Sequence, residues 1–144
     1  MTRHMIVGLD PGVTTGFAVW DAQQQRLTAV ESMGIVAAML RVQSMMAFGS
    51  LHSVVFEDAR LRTYFGAKGR EALQGAGSIK RDCGIWVEWF EHVGCAYRAI
   101  SPRQKGAKVN ADQFRTLTKW EGRTNEHGRD AALLVLGRTA CTPS

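Results

Sequence analysis

The chain has 144 residues, 45% apolar and 22% charged, which is the size and composition of one globular domain and not of a disordered or fibrous chain. No stretch nears the ~20 apolar residues of a bilayer span, Asp10 and Gly12 interrupt the early apolar run, and Cys83, Cys95 and Cys141 match no disulfide or zinc spacing. The net charge of +5 is concentrated: residues 60–81 hold six basic side chains against Glu71, and residues 98–108 hold four with no acid, so the expectation is a cytoplasmic protein with a polyanionic partner.

His4 to Leu9 is a short apolar run that reads as a buried strand, ended by the turn signal Asp10-Pro-Gly12 with Thr14-Thr-Gly16 behind it. Phe17 to Trp20 reads as a second strand and Leu27 to Val36 as a third, together an antiparallel meander. Ala37 to Leu51 has its apolar residues at helical spacing. Ser53 to Phe56 reads as a fourth strand running into Glu57 and Asp58, followed by a basic, aromatic loop over Arg60 to Gly69. Arg70 to His92 reads as a long helix, Cys95 to Ile100 as a fifth strand, and Ala111 to Trp120 and Glu126 to Gly137 as two closing helices. That order predicts an α/β domain with a mixed sheet whose later strands are joined by crossover helices.

Three places could carry chemistry. Asp10 ends a strand beside a tight turn, held by the sheet yet open to solvent; its alternative task is to cap that turn. Glu57 and Asp58 close the fourth strand, where only one of them can face as Asp10 does, and periodicity does not choose between them. His127 and Asp130 stand three apart at the start of an apolar helix and so share a face; the alternative is helix-dipole complementation by Asp130 with His127 on the surface. Taken together, these oxygen ligands with an optional imidazole suit Mg²⁺ or Mn²⁺. A two-metal phosphodiester hydrolase follows as an expectation.

The segment Ile6-Val-Gly-Leu-Asp10-Pro-Gly-Val-Thr-Thr-Gly16-Phe-Ala-Val resembles the opening of the RuvC family of Holliday-junction resolvases, within the ribonuclease H-like superfamily. Val54-Val-Phe-Glu57 is similar to the strand bearing that family's second carboxylate, and Ser101-Pro-Arg-Gln-Lys105 to a segment with a functional lysine. His127-Gly-Arg-Asp130-Ala-Ala-Leu-Leu resembles its last helix. The resemblance implies a ribonuclease H-like fold over residues 1–144 as a single nuclease domain, with a five-stranded mixed sheet of three antiparallel strands and then two parallel ones. It makes Asp10, Glu57, Asp130 and His127 metal ligands and Lys105 a catalytic cation, and it prefers Glu57 to Asp58. His127 stands where many members have Asp. No second lysine follows Lys105 at the usual interval, Lys108 and Lys119 being the available stand-ins. The chain is most similar to compact, phage-type members, placing it in a bacterial or phage-infected cell.

The implied reaction is metal-dependent hydrolysis of branched DNA, four-way junctions among them, leaving a 5′-phosphate and a 3′-hydroxyl, with two Mg²⁺ or Mn²⁺ ions, no small-molecule cofactor and no membrane. Arg60, Arg62, Lys68 and Arg70 surround Tyr64 and Phe65, a pattern in which cations hold phosphates while a ring stacks on an unpaired base. Arg103 and Lys108 are further expected phosphate contacts. A junction's two-fold symmetry matches a homodimer, for which Trp86, Trp89 and Phe90 are interface candidates beside their use in helix-to-sheet packing. Two alternatives stay open. One is a DNA-binding module of this fold without catalysis. The other is the phosphate hairpin of actin-like ATPases and sugar kinases, which Asp10 to Gly16 also resembles but which needs a second lobe.

Overall fold

The computed structural model describes residues 3–61, 70–102 and 107–140, and for 70–76 the backbone alone. Its strands are β1 (Met5–Asp10), β2 (Thr15–Asp21), β3 (Arg26–Met33), β4 (Leu51–Glu57) and β5 (Tyr97–Ile100). The helices are α1 (Ile35–Ala47), α2 (Arg70–Val93), α3 (Ala111–Thr118) and α4 (Glu126–Leu133), with a 3-10 turn at Ala59–Leu61. The strands form one five-stranded sheet in the order β3-β2-β1-β4-β5. β1, β2 and β3 pair antiparallel, and β4 and β5 are added parallel to β1.

The topology follows from the connections. Short turns join the first three strands, which lets them pair in antiparallel fashion. α1 and α2 carry the chain back across the sheet before β4 and β5, which parallel pairing requires. Alternation along each strand then splits the core in two. Val7, Leu9, Phe17, Val19, Val54 and Phe56 face α1 and α2, where Trp86, Phe90, Cys83 and Cys95 meet them. Ile6, Ala18, Trp20, Val55 and Ile100 face α3 and α4, meeting Phe114, Ala131, Ala132 and Val135. Both cysteines are free, and burial pushes each thiol up to about 11, so they are inert core residues.

Helix-to-sheet packing, the use expected for at least two of the three aromatic residues of α2, takes two of them, and one expectation about the last helix is corrected. Trp86 and Phe90, candidates for a subunit interface, are fully buried within the chain and pack together with ring centroids 5.5 Å apart. Trp89 alone of the three is partly exposed, beside Met39, Ile85, Glu88 and His92. The last helix also stops at Leu133 instead of reaching Gly137. The chain continues in turns to Gly137, whose φ of +76° lies in the left-handed region.

Candidate active site

The C-terminal ends of β1 and β4 lie side by side, because Val7, Gly8 and Leu9 pair in parallel with Val54, Val55 and Phe56. One step further, Asp10 and Glu57 are neighbours. Gly8 and Val55 face α4, so two residues on, Asp10 and Glu57 face it as well. Asp58 points the other way. It is buried and takes a two-pronged bond from Arg60, Nε to Oδ1 at 3.0 Å and Nη2 to Oδ2 at 2.8 Å. Strand parity thus separates two adjacent acids that periodicity left open.

α4 reaches this edge by lying directly on the sheet. A Cβ on Gly8 would sit 2.2 Å from the Ala131 carbonyl oxygen, and one on Gly16 would sit 2.0 Å from that of His127. Gly128 in turn faces the Glu31 carbonyl, with 3.1 Å to an added Cβ. These absent side chains let the helix backbone approach the strands closely. Asn125 caps the helix by accepting from the Gly128 N–H at 2.8 Å. The first turn is thereby held over β1 and β2, with His127 Nδ1 3.8 Å from Asp10 Oδ2.

Asp130, one turn along, is buried, and the Lys108 ammonium lies 3.6 Å from its Oδ2. Lys108 also donates to Glu126 Oε1. That bond, with Asp130 behind it, holds the ammonium above its usual range, and Lys108 in turn holds the Glu126 carboxyl below its own. The backbone carrying Lys108 is anchored. Arg129 Nε donates to the Val109 carbonyl at 3.1 Å, and Asn110 closes a capping box with Gln113 at the start of α3. Glu126, Arg129 and the position of Lys108 escaped the sequence reading. Only the charge pattern over 126–130 marks them, and it names no partner.

Three carboxylates and an imidazole are hard-oxygen and nitrogen donors suited to Mg²⁺ or Mn²⁺. They fit such an ion in kind. Among the described residues, however, no three His, Cys, Asp or Glu side chains are gathered closely enough to share one. The donors stand instead as Asp10 with His127 and as Asp130 with Lys108. Lys105, Arg103, Arg62, Tyr64, Phe65 and Lys68 lie outside the described residues, and Arg70 is described by its backbone alone. Arg60 is oriented by Asp58 but keeps 41% of its side chain exposed.

An open cleft of about 610 Å³ is lined by Trp20, Arg26, Leu27, Leu117, Lys119 and Trp120, among others. Trp20 pairs with Ile6 near the start of β1, so this cleft lies at the far end of the sheet from Asp10.

A mixed sheet in this order with helices on both faces is the ribonuclease H-like α/β fold. Among solved structures it is shared with T. thermophilus RuvC in complex with Holliday junction substrate, at a TM-score of 0.59 and 17% sequence identity, over 92% of this chain and 90% of that one. The chain matches no protein-family model and no curated protein.

Proposed function

We propose that residues 1–144 form one metal-dependent, structure-selective endonuclease domain that resolves Holliday junctions or other branched DNA, leaving a 5′-phosphate and a 3′-hydroxyl. The observation that carries this reading is the placement of Asp10 and Glu57 on the α4 side of one strand edge, with His127 and Asp130 set over it. It is supported by a fold shared with a resolvase bound to its junction.

Asp10, Glu57, Asp130 and His127 would hold the metal, Mg²⁺ or Mn²⁺, with two ions per site. Bound there, the ions supply Lewis-acid activation of the attacking water and of the leaving 3′ oxygen. The carboxylates fix the geometry of attack, since they project from strand ends and a capped helix turn. Lys105 offsets charge building on the scissile phosphate. Arg60, Arg62, Lys68, Arg70, Arg103 and Lys108 grip flanking phosphates, and Tyr64 or Phe65 stacks on an unpaired base. A homodimer would present two such sites to a junction. The compartment proposed is the cytoplasm of a bacterial or phage-infected cell; among the described residues no helix is long and apolar enough to cross a membrane.

The second reading, a DNA-binding module without catalysis, is favoured by one feature, the ammonium of Lys108 beside Asp130 where a metal ligand is needed. One experiment separates the two. Labelled four-way junction, splayed-arm and linear duplex DNA are incubated with Mg²⁺, Mn²⁺ or EDTA, using the wild type and Asp10→Asn. The nuclease cuts the branched substrates in metal only, and Asp10→Asn binds them without cutting. Binding without cutting by the wild type in either metal selects the module. No binding to branched DNA would sink both.

A further inference from the structure

The end of the sheet opposite the carboxylates gathers aromatic rings and cations of its own. The cleft of about 610 Å³ there has Trp20 and Trp120 in its lining together with Arg26 and Lys119. Trp120 also lines a smaller cleft of about 190 Å³, where Arg115 and Arg123 stand. One half-buried indole is thus shared by two clefts, each carrying two exposed cations. Among the described residues, neither cleft is lined by Asp or Glu, and none of the four cations pairs with a carboxylate. Rings alone would take any apolar ligand and cations alone any polyanion. The two interleaved suit a chain of flat bases joined by phosphates, with its base faces open; a duplex hides those faces in its stack. We propose that the Trp120 face binds an unpaired polynucleotide strand, its bases stacking on the indole and its phosphates held by Arg26, Lys119, Arg115 and Arg123. The proposal goes beyond the nuclease reading: it shares the nucleic-acid partner and needs neither the metal nor the cleavage step.

The larger cleft is held in shape before any ligand arrives. Trp20 Nε1 donates to the Arg138 carbonyl at 3.0 Å, and Gln25 Nε2 donates to the same oxygen at 3.0 Å. Walls fixed in this way lose little freedom on binding. The Trp120 N–H has no acceptor among the described residues, so a base or phosphate oxygen gives it the partner it lacks. Lys119 adds a second sign. It ends α3 with its N–H on the Arg115 carbonyl at 2.7 Å and with φ of +61°, in the left-handed region that favours glycine. A lysine there costs stability that a glycine would not, and what it adds is a cation in the cleft. From Ile6, the partner of Trp20, to Asp10 is four residues of β1, about 13 Å at the rise of a strand. Substitutions at the cleft therefore leave the carboxylates in place.

Binding of a short fluorescein-labelled oligothymidylate to the full chain in EDTA, read by anisotropy over a sodium chloride series, tests this. The proteins are the wild type, Trp120→Leu, Trp120→Phe, Lys119→Gly and Trp89→Leu, each with a melting curve. Trp120→Leu should bind about tenfold more weakly, the size of one lost stacking contact, and Trp120→Phe, which keeps a ring, should lose far less. Trp89 packs on the α1 and α2 side of the sheet, so Trp89→Leu should bind as wild type does. Lys119→Gly should melt at or above the wild type and yet bind more weakly, with the slope of log affinity against log salt flattened by about 0.7 unit. Weaker binding by a protein no less stable is not a result of misfolding, so Lys119→Gly carries the test if Trp120→Leu melts early. Unchanged binding in Lys119→Gly, or in a folded Trp120→Leu, overturns the site. An equal loss in Trp89→Leu overturns it too, as does a wild type that binds no oligothymidylate. So does displacement of the probe by oligoglutamate as readily as by unlabelled oligothymidylate, because charge alone would then explain the binding. Junction cleavage by the wild type, with oligothymidylate binding unchanged in both variants, removes this site and keeps the nuclease. Weaker binding in both variants with no cleavage by any protein does the reverse.

Discussion

Asp58 and Glu57 are adjacent acids with opposite surroundings, and the difference is one of strand parity. Glu57 faces α4 with Asp10, while Asp58 turns toward α2 and is 1% exposed. Burial alone would raise the Asp58 carboxyl, but the hydrogen bonds and charge of Arg60 outweigh it and hold the group below its ordinary value of 3.8. Removing Arg60 leaves a buried acceptor without its main donor. Arg60→Ala should therefore cost about 1–2 kcal/mol in urea unfolding at neutral pH, a figure kept low by the solvated side of the guanidinium. A carboxyl depressed in the folded state contributes stability above its unfolded value, and the contribution is lost as pH falls through the folded one. The gap between wild type and Arg60→Ala should thus close as pH drops below 3.8. A gap that stays constant through this range would remove the ion pair as its cause.

At the scale of elements, the position of α4 decides the site. The sequence reads Gly12 and Gly16 alike, as part of a turn after β1. The structure separates them: Gly16 belongs to β2, and its missing side chain admits the His127 carbonyl. A Cβ there meets backbone atoms at 2.0 and 2.6 Å, which no rotamer change relieves. Gly16→Ala should destabilise the protein by about 1–3 kcal/mol or more. It should also cut metal-dependent cleavage, because moving α4 moves His127 away from Asp10. Gly77→Ala in α2, where an added Cβ meets nothing within 4 Å, serves as the control and should be neutral or stabilising. Equal effects of the two substitutions, measured by urea unfolding and by cleavage, would dismiss the seating of α4 as the reason.

At the scale of the whole molecule, the basic segments are tied in sequence to the two parallel strands. The first basic segment starts just past Glu57, where β4 ends, and the second starts at Arg98 within β5, which pairs in parallel with β4. Each phosphate contact contributes about one unit to the slope of log affinity against log salt. Arg103→Ala should flatten that slope for junction binding by about one unit, read by fluorescence anisotropy over a sodium chloride series. An unchanged slope would take Arg103 out of the interface.

The kinds of element and their order were legible in the linear chain, because helix and strand impose different spacings on apolar residues and because Pro, Gly and Asp punctuate their ends. The motif around Asp10, the strand into Glu57 and the helix from Glu126 could all be placed in this way. Pairing could not. Whether Glu57 or Asp58 joins Asp10 depends on the register of β4 against β1, and the spacing within β4 carries no information about its neighbour. The seating of α4 on Gly8 and Gly16, the bond from Arg129 to Val109, and the contact of Lys108 with Asp130 join residues far apart in the chain. Such contacts are set by how two faces pack, and packing exists only once the sheet and its helices have come together.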